Sequence, residues 1–208
     1  MKLRLLVLAA VAVLLTGCGS VHPGAAAVVD GTEISMAEAD DVASTYCTLS
    51  LLSAQGGAPV PNADVRRQAV TDLVVGIVAD DLAERAGVTP NPTSYEVTAA
   101  QREQIAESFS ASELDNAVRT INASQRTFAI AEQLGARELG DPSAGTQQKQ
   151  ERGFQLIQAE LEKRDIEFDP RFGIDGTLQQ VAPTGSLSVP ASDDAEPQEL
   201  PATQQCAA

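Results

Sequence analysis

One stretch of the sequence constrains the fold more than any other, because its pattern is typical of a long amphipathic helix. From Asp64 to Ala86, apolar side chains recur every three or four residues and fall on one stripe. Gly87 follows where a left-handed C-cap is favoured, and Pro90 and Pro92 prevent the helix from continuing. The core is therefore expected to form around this helix. Its stripe consists of Val65, Ala69, Leu73, Ile77, Val78 and Leu82.

Four more helices are predicted around this one, and three of them begin at capping boxes. They cover about residues 35–56, 93–109, 110–138 and 143–163. In a capping box, a Ser or Thr side chain and an acidic side chain three residues later bond each other's backbone N–H groups. The fold class is therefore predicted to be mostly α. The boxes are Ser35-Met-Ala-Glu38, Thr93-Ser-Tyr-Glu96 and Ser110-Ala-Ser-Glu113.

Two short segments at opposite ends of this helical region predict a small β element. Ala25 to Ser35 has the pattern of a hairpin, because Asp30-Gly31 favours a turn with positive φ angles. Asp165 to Asp169 alternates in polarity and places Ile166 and Phe168 on one face. A lone hairpin is only marginally stable in water. The later segment is therefore expected to join the hairpin as a returning strand.

Several motifs, taken in order, resemble a known family. The pattern V-x-G-x-x-I-S occurs at residues 29–35, Ala83-x-x-Ala-Gly-Val-Thr-Pro90 ends the second helix, and Asp169-Pro-Arg-Phe-Gly173 follows the last strand. Together they resemble the N-terminal domain of the SurA/PrsA class of exported chaperones. The resemblance covers residues 25–175. It implies a module of about five helices, closed by a small sheet of N- and C-terminal strands, that binds unfolded or extended polypeptides.

The chain departs from that family in a way that argues against catalysis. Relatives often carry a parvulin prolyl isomerase domain, but only Asp141 to Arg164 occupies the corresponding interval, and the sole histidine is His22. The pairs Asp40-Asp41 and Asp80-Asp81 point about 100° apart on their helices, which favours solvated faces over an acid–base site. We expect an ATP-independent holdase. The alternatives are an adaptor for one defined cell-envelope partner and an enzyme of unrecognised type.

Four apolar side chains are candidates for a client-binding groove. The resemblance suggests that they line an open groove for segments of unfolded polypeptides, and the simpler alternative is that they fill the core of the bundle. Only a contiguous exposed apolar patch would favour the groove. The candidates are Phe109, Leu114, Val118 and Phe128.

The N-terminus predicts export and a lipid anchor. Lys2 and Arg4 precede the apolar run from Leu5 to Leu15, which is too short to span a bilayer and suits a signal peptide. Leu15-Thr-Gly-Cys18 resembles the bacterial lipobox, which implies residues 1–17 as signal peptide, lipid on Cys18, and 18–24 as a tether. The alternative is an ordinary secretory signal with a cysteine nearby. We expect attachment to the outer face of the cell membrane.

The charge of the mature chain limits its partners. Without residues 1–17 it has 12 basic and 29 acidic residues, a formal net charge of −17. Such a surface repels phosphate backbones and anionic lipid headgroups, so nucleic acid is not an expected partner. Membrane attachment must then come from the lipid.

Two cysteines remain besides the anchor. Outside the cytosol, Cys47 and Cys206 are expected either to form a disulfide or to remain two unpaired thiols. Neither is part of a C-x-x-C pair, and a single histidine provides no metal-ligand set, so no metal or cofactor is expected. Residues 176–208 are predicted to be a largely disordered tail, with Ser186 to Pro190 as a possible edge segment.

Overall fold

A computed structural model describes residues 23–54, 60–181 and 201–206. These residues form five α-helices and a three-stranded antiparallel sheet, so the prediction of a mostly α fold with a small β element is confirmed. The predicted signal peptide, Cys18, His22 and the Ser186–Pro190 segment lie outside the described residues. The strands are β1 (Ala25–Val29), β2 (Thr32–Ser35) and β3 (Ile166–Phe168), and the helices are α1 (Met36–Ala54), α2 (Asn62–Ala86), α3 (Ala99–Ala106), α4 (Leu114–Leu139) and α5 (Thr146–Leu161).

The sheet has the predicted arrangement, with β1 between β2 and β3. Asp30 (φ 48°) and Gly31 (φ 86°) form the hairpin turn, and both adopt the positive φ that such turns require. All five residues of β1 are buried, and Val29 pairs with Ile166 of the returning strand. The sheet therefore belongs to the core and joins the two ends of the helical region.

The main core lies where the sheet meets α2, α4 and α5. Val70, Val74 and Val78 of α2 are completely or almost completely buried there. Gly87 ends α2 in the left-handed conformation (φ 64°), as predicted, and the N–H of Val88 donates to the carbonyl of Ala83 at 2.8 Å. The other helices and the sheet contribute Ile130, Leu134, Ile157, Leu161, Ala27 and Ile34.

The predicted start of the third helix at Thr93 is wrong, because the helix begins at Ala99. Asn91 accepts a hydrogen bond from the N–H of Thr93 at 3.1 Å, which closes a short 3-10 turn instead of starting an α-helix. The N–H of Val97 then donates to Asn122 of α4 at 2.7 Å. The capping box that forms is Thr98 with Gln101, and it opens the short helix α3.

Two other helix starts lie later than predicted. Glu113 does accept from the N–H of Ser110, at 3.2 Å, but α4 begins only after this box. Before α5, Asp141 accepts from the N–H of Ser143 at 2.8 Å and forms a turn. In both places a side chain closes a local turn before the helix begins. At the first helix, Ser35 accepts from the N–H of Glu38 at 3.1 Å, as a capping residue does.

The chain continues past β3 with ordered contacts. The N–H of Val181 donates to the carbonyl of Gly173 at 2.9 Å, and Ile174 forms an isolated β-bridge with Gln180. Residues 201–206 lie beside the start of α2, where the N–H of Cys206 donates to the carbonyl of Val60 at 2.9 Å. No helix among the described residues is long and apolar enough to cross a membrane.

Candidate functional site

A cleft of about 500 Å³ opens between α1, α2 and α4, and Phe154 of α5 contributes to one end. Its volume falls within the range of about 300–1,000 Å³ that is usual for ligand sites. A second cavity, of about 820 Å³, surrounds the two cysteines and is lined by charged residues such as Asp40, Arg66 and Glu113. The first cleft combines apolar walls with a few buried polar groups, so it is the better candidate.

One end of the cleft is apolar and partly open to solvent. Leu73 and Ile77 of α2 line it together with Phe128 of α4 and Phe154 of α5. The two phenylalanine rings meet edge to face, with centroids 5.1 Å apart. Phe128 is 47% exposed, which is unusual for so large an apolar side chain in a folded domain. This end therefore offers an aromatic surface to an apolar ligand.

Gly76 keeps the middle of the cleft open. A Cβ atom added at this position would have one neighbour within 4 Å, the Thr127 hydroxyl at 3.8 Å. The absence of a side chain thus leaves free space between α2 and α4. Glycine in a helix interior costs roughly 0.5–1 kcal/mol relative to alanine, and here that cost coincides with the opening of the cleft.

The opposite end of the cleft is polar and centred on a tyrosine–aspartate pair. The Tyr46 hydroxyl of α1 donates to the Asp72 carboxylate of α2 at 2.9 Å. Gln68 also donates to Asp72, and Ser124 of α4 hydrogen-bonds to Tyr46. Three helices therefore contribute to one small polar cluster at the end of an otherwise apolar cleft.

Burial shifts the titration of both members of this pair. Loss of solvation raises the pKa of Asp72, and the hydrogen bonds from Tyr46 and Gln68 only partly oppose that effect. Loss of solvation, followed by the nearby negative charge of Asp72, raises the pKa of Tyr46 well above its ordinary value. Tyr46 therefore stays protonated at neutral pH and acts as a hydrogen-bond donor.

The predicted acidic pairs contribute little to the cleft. Asp80 lies at its rim and forms an ion pair with Arg126, and its side chain is 51% exposed. Asp40 pairs with Arg66 at 2.5 Å on a different part of the surface. Each of these carboxylates has a guanidinium partner, as expected of solvated faces.

Of the four predicted groove residues, only Phe128 lines the cleft. Phe109 is buried, just beyond the end of α3. Leu114 and Val118 are half-buried in the first turns of α4 and do not line the cleft. Phe109, Leu114 and Val118 therefore do not join Phe128 in the lining of this cleft.

The polar end of the cleft was missed by sequence reasoning, although a signal was present. Asp72 and Gly76 continue the spacing of Val65 and Ala69, so an ionisable residue and a glycine lie on the apolar stripe of α2. A carboxylate at such a position is costly unless it has a role or a partner. The positions of Asp72 and Gly76 on the apolar stripe could therefore have indicated the polar end of the cleft from the sequence.

The structure places Cys47 and Cys206 together, with Cα atoms 5.3 Å apart and the sulfur atoms within bonding distance. Cys47 follows Tyr46 on α1, and Cys206 is buried against a small cluster that includes Ala43 and Val65. The described residues contain no group of three or more side chains able to hold a metal ion.

No family model matches the chain, and no curated protein or solved structure is significantly similar to it. The resemblance to exported chaperones thus remains a prediction from the motifs alone.

Proposed function

We propose that this chain is a membrane-anchored, extracytoplasmic holdase. It binds apolar segments of unfolded or extended polypeptides in the cleft between α1, α2 and α4, without ATP and without catalysis. Binding is weak and reversible, so a bound segment is protected from aggregation and then released to fold. The lipid on Cys18 keeps this activity at the outer face of the membrane, where secreted chains emerge.

The observation that carries this proposal is the open aromatic end of the cleft. Phe128 and Phe154 present ring surface next to Leu73 and Ile77. Burial of apolar area contributes about 25 cal/mol per Å², so one or two side chains of a client stabilise a complex by only a few kcal/mol. Such affinity suits a protein that must release its clients.

The charge of the chain supports the same proposal. The mature chain has a formal net charge of −17. A strongly charged surface keeps a protein soluble and keeps copies of it apart. A client bound at the cleft would share in that solubility.

The chemistry of the polar end supports binding rather than catalysis. The raised pKa of Tyr46 opposes formation of a phenolate nucleophile, and the Asp72 carboxylate already accepts two hydrogen bonds. Both groups are suited to orienting a ligand.

Suppression of aggregation tests the proposal. Two unrelated chemically unfolded proteins are diluted with and without residues 19–208 of this chain, and light scattering is recorded. We expect near-stoichiometric suppression of both clients, and we expect Phe128→Ala to raise the concentration required several-fold. Leu52→Ala is the matched control, because Leu52 is 52% exposed but lies outside the cleft.

A dedicated adaptor is the second candidate, and the half-buried Tyr46–Asp72 pair favours it. Polar groups placed in an apolar site give specificity more than affinity. Failure to suppress aggregation of either client would overturn the holdase proposal and leave the adaptor. Equal losses from Phe128→Ala and Leu52→Ala would show that the activity does not use the cleft.

A further inference from the structure

Asp72 is a half-buried carboxylate without a cationic partner among the described residues. Its hydrogen bonds come from Tyr46 and Gln68, and it forms no ion pair within the described part of the chain. Other carboxylates of the same helices behave differently, since Asp40 and Asp80 each pair with an arginine. Burying a carboxylate is costly unless a positive charge or several hydrogen bonds compensate for it. The compensation at Asp72 is incomplete.

The nearest cation lining the cleft cannot supply that charge. Arg126 is the basic residue among the lining side chains, and it is engaged by Asp80 at the rim. Asp72 lies two helical turns before Asp80 on α2, about 12 Å along the helix axis. The polar end of the cleft therefore presents the negative charge of Asp72, which has no cationic partner there, to a bound ligand.

We infer that the cleft selects polypeptide segments in which a lysine or arginine is flanked by apolar residues. This inference rests on the proposed function and specifies its substrate class. The cation of the client meets Asp72, while its apolar neighbours contact Ile77, Phe128 and Phe154. The apolar stem of a lysine or arginine passes along the cleft walls, as such stems commonly do on apolar surfaces.

The dimensions of the cleft fit such a segment. An extended chain advances about 3.3 Å per residue, so the distance from Asp72 to the level of Asp80 corresponds to roughly four residues. A client with its basic residue two to four positions from a large apolar residue can reach both ends at once. The net negative charge of the whole chain also favours a basic client over an acidic one.

Three matched peptides test the inference. Each is an otherwise identical apolar peptide with lysine, norleucine or glutamate at one position, and norleucine retains the stem but removes the charge. Binding is measured by fluorescence anisotropy with the mature chain in nanodiscs of a zwitterionic lipid, and empty discs provide the blank. We expect the lysine peptide to bind about tenfold more tightly than the norleucine peptide, because only lysine forms a charge-assisted hydrogen bond with Asp72.

Two variants test whether the carboxylate of Asp72 causes the preference for the lysine peptide. Asp72→Asn removes the charge but retains an oxygen that accepts from Tyr46, so the fold is preserved, and circular dichroism verifies this. We expect it to abolish the preference for lysine, so that the lysine and norleucine peptides bind this variant equally. Asp40→Asn removes one negative charge outside the cleft and should leave the preference intact.

The possible failures are distinguishable. Equal binding of the lysine and norleucine peptides would overturn this inference but leave the holdase proposal standing. A preference that survives Asp72→Asn, or that Asp40→Asn reduces equally, would also overturn it, because the charge would then act from elsewhere. Failure of all three peptides to bind would count against the proposed function itself.

Discussion

Helix α4 packs against α5 and against α2 in opposite ways. On the α5 side, Gly135 and Gly153 lie in the contact, and a Cβ atom on either would overlap the backbone of the facing helix. On the α2 side, Gly76 faces Thr127, and an added Cβ would meet the hydroxyl at an ordinary 3.8 Å. The same residue type brings the helices together on one side and leaves a cleft on the other.

This difference separates a closely packed part of the molecule from the part that we propose binds clients. The closed side buries Ile130 and Leu134 of α4 against Ile157 and Leu161 of α5. The open side leaves Phe128 half exposed. A domain that must expose apolar surface needs stability from elsewhere, and the close α4–α5 contact provides it.

The largest expected effect comes from breaking the closed side with Gly153→Ala. The new Cβ would overlap the backbone of Ala131, so the two helices must move apart and the core between them loosens. We expect a loss of about 3–4 kcal/mol in the free energy of unfolding, measured by chemical denaturation. A loss below about 1 kcal/mol would show that the helices accommodate a methyl group and that the contact is less close than described.

The link between α1 and the C-terminal segment is the next contribution. At the proposed location outside the cytosol, we expect Cys47 and Cys206 to be oxidised and to close a loop of sequence separation 159. Chain entropy alone gives about 5 kcal/mol for such a loop, and measured contributions are often smaller. We expect Cys206→Ser to lower the free energy of unfolding by about 2–3 kcal/mol.

The control for that prediction is the wild-type chain treated with a reductant, which should match Cys206→Ser. If reductant leaves the denaturation midpoint of the wild type unchanged, the two cysteines are unpaired thiols. The position of α1 beside the cleft would then depend on side-chain packing alone.

Elements with local start and stop signals were predictable from the sequence. The hairpin has Asp30-Gly31 at its turn, and α2 has Gly87 at its end, so both agree with the structure. The start of helix α3 was not predictable in this way, because two candidate capping boxes, at Thr93 and Thr98, lie within a few residues of each other. The outcome depends on Asn122, which accepts from Val97 across 25 residues of sequence, and no local pattern contains that contact.

The candidate site was predictable only in part. The apolar stripe of α2 includes Leu73 and Ile77, which line the cleft, and Phe128 was proposed for a groove. The pattern cannot distinguish an apolar face that meets another helix from one that meets a gap. That distinction depends on interhelical spacing, and hence on pairs such as Gly76 and Thr127 whose proximity is a tertiary property.

A pH titration distinguishes the two sides through their carboxylates. Burial alone would raise the pKa of Glu160 on α5, but hydrogen bonds from Arg85 and Lys163 outweigh it and lower the pKa. Glu160 therefore stabilises the fold above its unfolded pKa, and that contribution is lost as the pH falls through its folded pKa. Asp72 has the opposite sign, because its raised pKa contributes stability at low pH that is lost as the pH rises through it.

At pH 7 we therefore expect Glu160→Gln to lower the free energy of unfolding by about 1–2 kcal/mol. We expect Asp72→Asn to raise it by up to about 1 kcal/mol. The Asp72 difference should shrink as the pH is lowered towards 4, because its raised pKa lets the wild-type carboxylate take up a proton there. The Glu160 difference should persist to lower pH, because the lowered pKa of Glu160 keeps its carboxylate ionised in the folded chain. Denaturation of both variants at pH 4 and pH 7 measures this, and a destabilised Asp72→Asn at pH 7 would contradict the claim that this charge is poorly compensated.

The smallest effect is the most direct comparison, because it repeats the glycine-to-alanine change on the open side. Gly76→Ala introduces a methyl group that meets the Thr127 hydroxyl at 3.8 Å, and it removes the entropic cost of a glycine in a helix interior. We expect a gain of about 0.5–1 kcal/mol in the free energy of unfolding, in the same denaturation experiment in which Gly153→Ala loses stability. Identical chemistry would then give opposite signs only because one glycine fills a contact and the other borders a space. A loss at Gly76 as large as that at Gly153 would mean that α2 and α4 are in close contact in solution, and the cleft would not exist as a binding site.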